Sequence, residues 1–192
     1  DAGSQPGHDE GYRRLRKILD LLNCPWVPIP GNQDAPEDEF YKFLPRPQGS
    51  LLDVKGSLRI VPFTDPEEPG YNARRDAEGI RRMDHVRDDG WRGPILAVQH
   101  VPVFPKGSSP CPYSYTNAAE IIEAMRRNRI STAVAGHYHK GFELVRDSSL
   151  SFAAVPALCE RPFEYMILEI SGESVALERQ SLAMPEGLSL WD

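Results

Sequence analysis

Apolar positions along the chain follow two periods, and the change from one to the other lays out the expected fold. Over residues 9–23, Tyr12, Leu15, Ile18, Leu19 and Leu22 share one face of a 3.6-residue period, with Arg and Lys opposite, which predicts an amphipathic helix. "WVPIP" at 26–30 reads as a short apolar strand, and 36–44 as a helical turn. Strands are expected at 51–55 and 58–63, with Lys55-Gly56-Ser57 as the hairpin turn between them. The helical period returns over 73–88 through Ala73, Ala77, Ile80, Met83 and Val86. "PILAVQH" and "STAVAG" are buried strands. Between them, Asn117 with Glu120 three residues on starts a helix whose apolar face is Ala118, Ile121, Ile122 and Met125. From 141 onward only strands are expected: "GFELV", "LSFAAV", "FEYMILEI" and "VALERQSL". Alternation in the first two thirds and β in the last third imply an α/β fold, sheet inside and helices outside.

Composition narrows the class. The 192 residues suit one domain, spanning 1–192, and 40% hydrophobic with 26% charged residues is ordinary for a soluble globular chain. A net charge of −6 and no long basic run argue against extended nucleic-acid binding or broad adhesion to anionic membrane. No apolar run is long enough to span a bilayer. Cys24, Cys111 and Cys159 are odd in number and form no C-x-x-C pair, so free thiols in a reducing compartment, and a cytoplasmic location, are expected. The opening "DAGSQPGHDEG" has neither Met nor a signal pattern and reads as the interior of a longer protein.

Three apolar strands end in groups able to bind a metal. "WVPIP" runs into Asn32 and Asp34, "ILAVQ" into His100, and "TAVAG" into His137 and His139 of "GHYH". Ligands of open α/β sheets collect beyond the carboxyl ends of strands, where such loops converge. Imidazole suits Zn, Fe, Ni or Mn, and amide or carboxylate oxygen suits harder ions. Two His at i and i+2 can reach one ion or two. No Cys stands near any of them in sequence, which weighs against a structural zinc.

"GNQD", "QHVPV" and "GHYHKG", in this order and spacing, resemble the motifs of the calcineurin-like metallophosphoesterase family. The resemblance runs from the first helix to "ERPFEYMILEI" and implies a four-layer α/β/β/α sandwich with two metals above the sheets, its first strands missing here. It places Asn32, His100 and His137 on one metal and His139 on the other, with Asp34 behind the turn as an orienting residue. Manganese, iron or zinc would fill the two positions. It implies metal-dependent hydrolysis of a small phosphate mono- or diester, with a nucleotide among the candidate substrates.

Two departures bear on activity. The family's opening Asp-x-His and its Gly-Asp, source of the carboxylate bridging both metals, are absent, and "DAG" at Asp1 resembles the residues immediately after that Gly-Asp. Weak metal binding and little hydrolysis are therefore expected of the chain as it stands. Gln33 occupies the position of the family's catalytic His. A Gln can donate a hydrogen bond to a phosphoryl oxygen but cannot transfer a proton near neutral pH. It fits a different substrate, another acid in the site, lost activity, or a deliberate change that traps substrate. The competing reading is a catalytically silent binding module on the same fold.

Other candidates carry blander expectations. His8 and His85 read as solvated, and Asp65, at the end of a strand, as a turn or cap residue or else a pocket-lining one. The loop holding Lys106, Tyr113, Tyr115 and Asn117 either stacks on a base or sugar or packs on itself. Tyr138 is a pocket wall or a spacer.

Overall fold

A computed structural model describes residues 9–34, 36–172 and 174–183; Asp1 and His8 lie outside them. Four helices occur among these residues: α1 (Asp9–Leu19), α2 (Glu37–Phe43), α3 (Ala77–Asp84) and α4 (Ala118–Arg127). The strands are β1 (Leu52–Val54), β2 (Leu58–Pro62), β3 (Glu67–Glu68), β4 (Asn72–Ala73), β5 (Ile95–Gln99), β6 (Thr132–Ala135), β7 (Phe142–Asp147), β8 (Leu150–Ala154), β9 (Glu164–Ser171) and β10 (Ser174–Ser181). Six form a central sheet in the order β1-β2-β5-β6-β8-β7. Its four inner strands are parallel, and the outer two pair antiparallel. The fold is mixed α/β with a mostly parallel sheet. β9 and β10 form a separate two-stranded hairpin, and β3–β4 a minimal one.

The period-2 burial of β5 explains its place in the centre. Ile95 and Ala97 are buried, in register with Arg59 and Val61 of β2, and Ala97 lies beside Ala133 of β6. These apolar side chains share one core cluster with Met83 and Val86 from the α3 region and Ile121 and Met125 of α4. A second, smaller cluster joins Tyr12 of α1 to Phe40 and Leu44 around α2. The β1–β2 turn needs left-handed backbone at Lys55 (φ 48°) and Gly56 (φ 70°), which suits a tight hairpin.

Several elements differ from the sequence reading. Trp26–Pro30 forms no ladder among the described residues, because Pro25, Pro28 and Pro30 remove backbone donors. α1 stops at Leu19, and Ile18 and Leu22 are exposed, so only the front half of the apolar stripe is used. α3 begins four residues later than the periodicity suggests. Asp76 caps it by accepting from Gly79 N at 2.7 Å, while Ala73 belongs to β4. Asn117 stands at the start of α4 but does not cap it; its amide holds both backbone groups of Arg75, at 2.8 and 3.2 Å. All three cysteines are free, and no helix among the described residues is long and apolar enough to cross a membrane.

Candidate metal centre and adjoining cleft

Parallel β5 and β6 carry their C-terminal ends to the same edge of the sheet, and the loops beyond them are tied together. Gly136 N donates to His100 O at 3.0 Å, which brings "QH" and "GHYH" side by side. The imidazoles of His100 and His137 meet edge to face, with centroids 4.8 Å apart. His137 Nδ1 lies 3.0 Å from His100 Nε2, and Asn32 Oδ1 lies 2.9 Å from that same nitrogen. The structure thus gathers Asn32, His100 and His137 from three separate loops.

Proton accounting shows what this cluster wants. His137 Nε2 lies 2.9 Å from the Tyr71 carbonyl, an acceptor only, so this nitrogen carries the proton and Nδ1 presents a lone pair. His100 Nε2 then faces two acceptors with at most one proton. A cation would satisfy all three atoms at once. Donors about 2.1 Å from one ion and at right angles to each other sit about 3.0 Å apart, which matches both separations here. A carbonyl on the far nitrogen of a ligating His is also the usual supporting contact. The donor set therefore fits one divalent ion. Among the described residues no three His, Cys, Asp or Glu side chains gather in a group able to hold a metal.

Electrostatics keep both rings neutral. Burial, with the neighbouring His137 next, holds His100 down at about 3. Burial also lowers His137, against the raising effect of the Tyr71 carbonyl. Neutral imidazole is the form that ligates.

The remaining sequence candidates stand around this cluster. His139 is half-exposed, and its Nδ1 lies 2.7 Å from Glu160 Oε1, which leaves Nε2 as its other donor. Asp34 faces its own turn: it accepts from Gly31 N at 2.8 Å and from Tyr12 OH at 3.1 Å. Exposed Gln33 lines two adjoining hollows together with His137 and His139. One, about 770 Å³, runs along Val155–Cys159; the other, about 500 Å³, is walled by Tyr71, Tyr113 and Tyr138. Tyr113 packs on the His137 ring at 4.9 Å.

Asp65 is neither cap nor turn residue; it lines a hollow with Asn32, Asp34 and His100, the alternative the sequence left open. It is the buried partner of Arg75, with Nη2 to Oδ2 at 2.7 Å, and accepts from Tyr115 OH at 2.7 Å. Tyr115 and Asn117 are thus structural, Lys106 is exposed, and Tyr113 and Tyr138 alone of the loop candidates reach the cleft. His85 is solvent-facing with Asp88. Sequence reasoning missed Tyr71, Glu160 and Arg75. Only the Pro69-Gly70 turn hints at Tyr71, whose φ of 60° matches the left-handed 62° of His137 opposite. Such backbone is uncommon outside glycine and concentrates at functional sites.

No family model matches the chain. Over 142 residues, 72% of its length, it is 22% identical to a probable cyclic nucleotide phosphodiesterase of Synechococcus sp.. The chain covers 55% of that protein, little more than half of its length.

Proposed function

We propose that this chain belongs to a metal-dependent phosphoesterase acting on a small phosphorylated substrate, a phosphodiester first of all. The convergence of Asn32 Oδ1, His100 Nε2 and His137 Nδ1 carries this reading. The distant likeness to a probable phosphodiesterase supports it. Asn32, His100 and His137 would hold one divalent ion, and His139 would face a second; Mn, Fe or Zn suits these donors. Bound there, such ions would supply an activated water and offset charge on the phosphoryl oxygens. The calcineurin-like α/β/β/α sandwich belongs to the same reading, with β9–β10 as part of its second sheet.

The chain's own groups divide the remaining work. Tyr71 O and Glu160 fix which nitrogen of His137 and His139 is left to bind. Asp34 holds the turn that presents Asn32. Gln33 donates a hydrogen bond to a phosphoryl oxygen without transferring a proton. Tyr71, Tyr113 and Tyr138 offer a planar group of the substrate an aromatic wall.

Titration of the 192-residue chain with Mn²⁺, followed by its electron-spin signal, tests the centre. Binding should be lost in His100→Ala and His137→Ala, and hydrolysis of bis(p-nitrophenyl) phosphate should follow the bound fraction. Equal binding by wild type and variants would sink the proposal. Gln33 favours one other reading, a silent module; 3′,5′-cyclic AMP bound in the cleft with no turnover under any metal would establish it.

A further inference from the structure

A second hollow lies at the other end of the sheet, about 20 Å from His100 along β5 at 3.3 Å per residue. It encloses about 340 Å³ and is lined by Arg87, Arg92, Arg126 and Arg129 with Ser131 and Ser149. The turn at Gly172 closes one side. Four arginines around one hollow are unexpected on a chain whose net charge is −6.

The four differ in how they are used. Arg87 is a strut: its guanidinium donates to the carbonyls of Asn128 (3.0 Å), Trp91 (3.0 Å), Gly93 (3.1 Å) and Arg129 (2.8 Å). It thereby fixes the backbone from which Arg92 and Arg129 project. Arg126 is neutralised by Asp147 at 2.7 Å and Glu123 at 3.3 Å. Arg92 and Arg129 are exposed, and their side chains make no hydrogen bond or ion pair with any described residue. Burial first, and then the nearby charges of Arg129, Arg59 and Arg92, lower the Arg87 guanidinium from its ordinary range.

We propose that this hollow binds a phosphoryl group, either inorganic phosphate or the phosphorylated end of a small molecule. Arg92 and Arg129, unpaired among the described residues, line the space together with Ser131 and Ser149. A tetrahedral dianion presents oxygens to all of them together, whereas a planar carboxylate fills a single fork. The hollow has room for a group beyond one phosphate. No extended basic face accompanies it, so a nucleic-acid backbone or membrane surface does not fit. The site is separate from the His cluster and does not depend on its chemistry.

The test is a ¹H–¹⁵N NMR titration of the full 192-residue chain with inorganic pyrophosphate at low salt, with inorganic phosphate and AMP as further arms. The Ser131, Ser149 and Gly172 amides should shift. Affinity should fall by about tenfold or more in Arg92→Ala/Arg129→Ala, and His100→Ala should bind as wild type does. At these amides, AMP bound as tightly as phosphate assigns recognition to the phosphoryl group alone; tighter AMP binding at the same amides shows that the attached group is also held. Shifts confined to the His100 and His137 loops, or equal affinity in the double variant, overturn the proposal. So does stronger binding of a poly-glutamate peptide at the same amides, which would make the hollow an acidic-partner surface. The wild-type amide map decides even where the double variant is poorly folded.

Discussion

The Tyr71 carbonyl lies 2.9 Å from Nε2 of His137, and this one contact decides which nitrogen of that ring is left to bind. The contact belongs to the backbone of residue 71, while its side chain is a separate, exposed wall of the cleft. Tyr71→Gly separates the two roles, since glycine adopts the φ of 60° without strain. Mn²⁺ affinity should change by less than about threefold. Binding of an aromatic ligand such as AMP in the cleft should weaken by about 0.5–1.5 kcal/mol, the scale of one ring contact. Parallel metal and ligand titrations check both.

Asp65 and Arg75 predict a large stability effect beneath the site. Arg75 is fully buried, stacks 3.5 Å over Phe63 and gives Asp65 Oδ2 two donors, at 2.7 and 3.0 Å. Removing one member strands the other's charge out of water. Asp65→Ala should cost about 3–5 kcal/mol in urea unfolding. Arg75→Met together with Asp65→Ala should cost less than Asp65→Ala alone, because no lone charge remains.

Arg59 sets an acid limit at the opposite end of β2. Its buried guanidinium grips Asp53 at 2.7 Å and Asp89 at 2.6 Å, and covers the Trp91 ring. Hydrogen bonding to Arg59 lowers both carboxyls, Asp89 to about 2. An unfolded Asp titrates near ~3.9. The stabilisation is therefore in full force above that pH and is lost as pH falls through about 2. Asp53→Asn/Asp89→Asn should unfold at lower urea than wild type at pH 7. The gap should close on acidification, with the salt dependence of an exposed pair.

Gln33 predicts a change that depends on the leaving group. If the centre is hydrolytic, Gln33→His restores a proton donor at the rim of both hollows. It should accelerate an unactivated alkyl phosphodiester by about 10²–10⁴-fold and barely alter a nitrophenyl ester, whose leaving group needs no proton. Equal acceleration of both esters would exclude proton donation as its role.

Much of the sheet could be read in advance because its signals are local. β5 and β6 are apolar runs of the right length, and Lys55-Gly56-Ser57 is a turn by its own chemistry. The three site loops were legible because each begins where such a run stops. Trp26–Pro30 misled because apolar character says nothing about donors, and prolines remove them. Asp65 misled because its partner, Arg75, lies beyond a turn and a two-residue hairpin that no period marks. Tyr71 and Glu160 act on His137 and His139 through pairings 66 and 21 residues apart. One is a backbone carbonyl and the other an exposed carboxylate, and neither leaves a pattern.

The strand order has a consequence for how the site comes into being. The β1–β2 and β7–β8 hairpins at the sheet's margins join neighbours in sequence and can close within microseconds. The parallel contacts β2–β5 and β5–β6 require segments more than thirty residues apart to meet, which is the slow part of folding such a topology. His100 and His137 sit at the ends of two of these late-joining strands. Their 3.0 Å approach is thus made only when the centre of the sheet is complete. Ion capture by this pair, followed in time during refolding, would report the last step of the chain's assembly rather than the first.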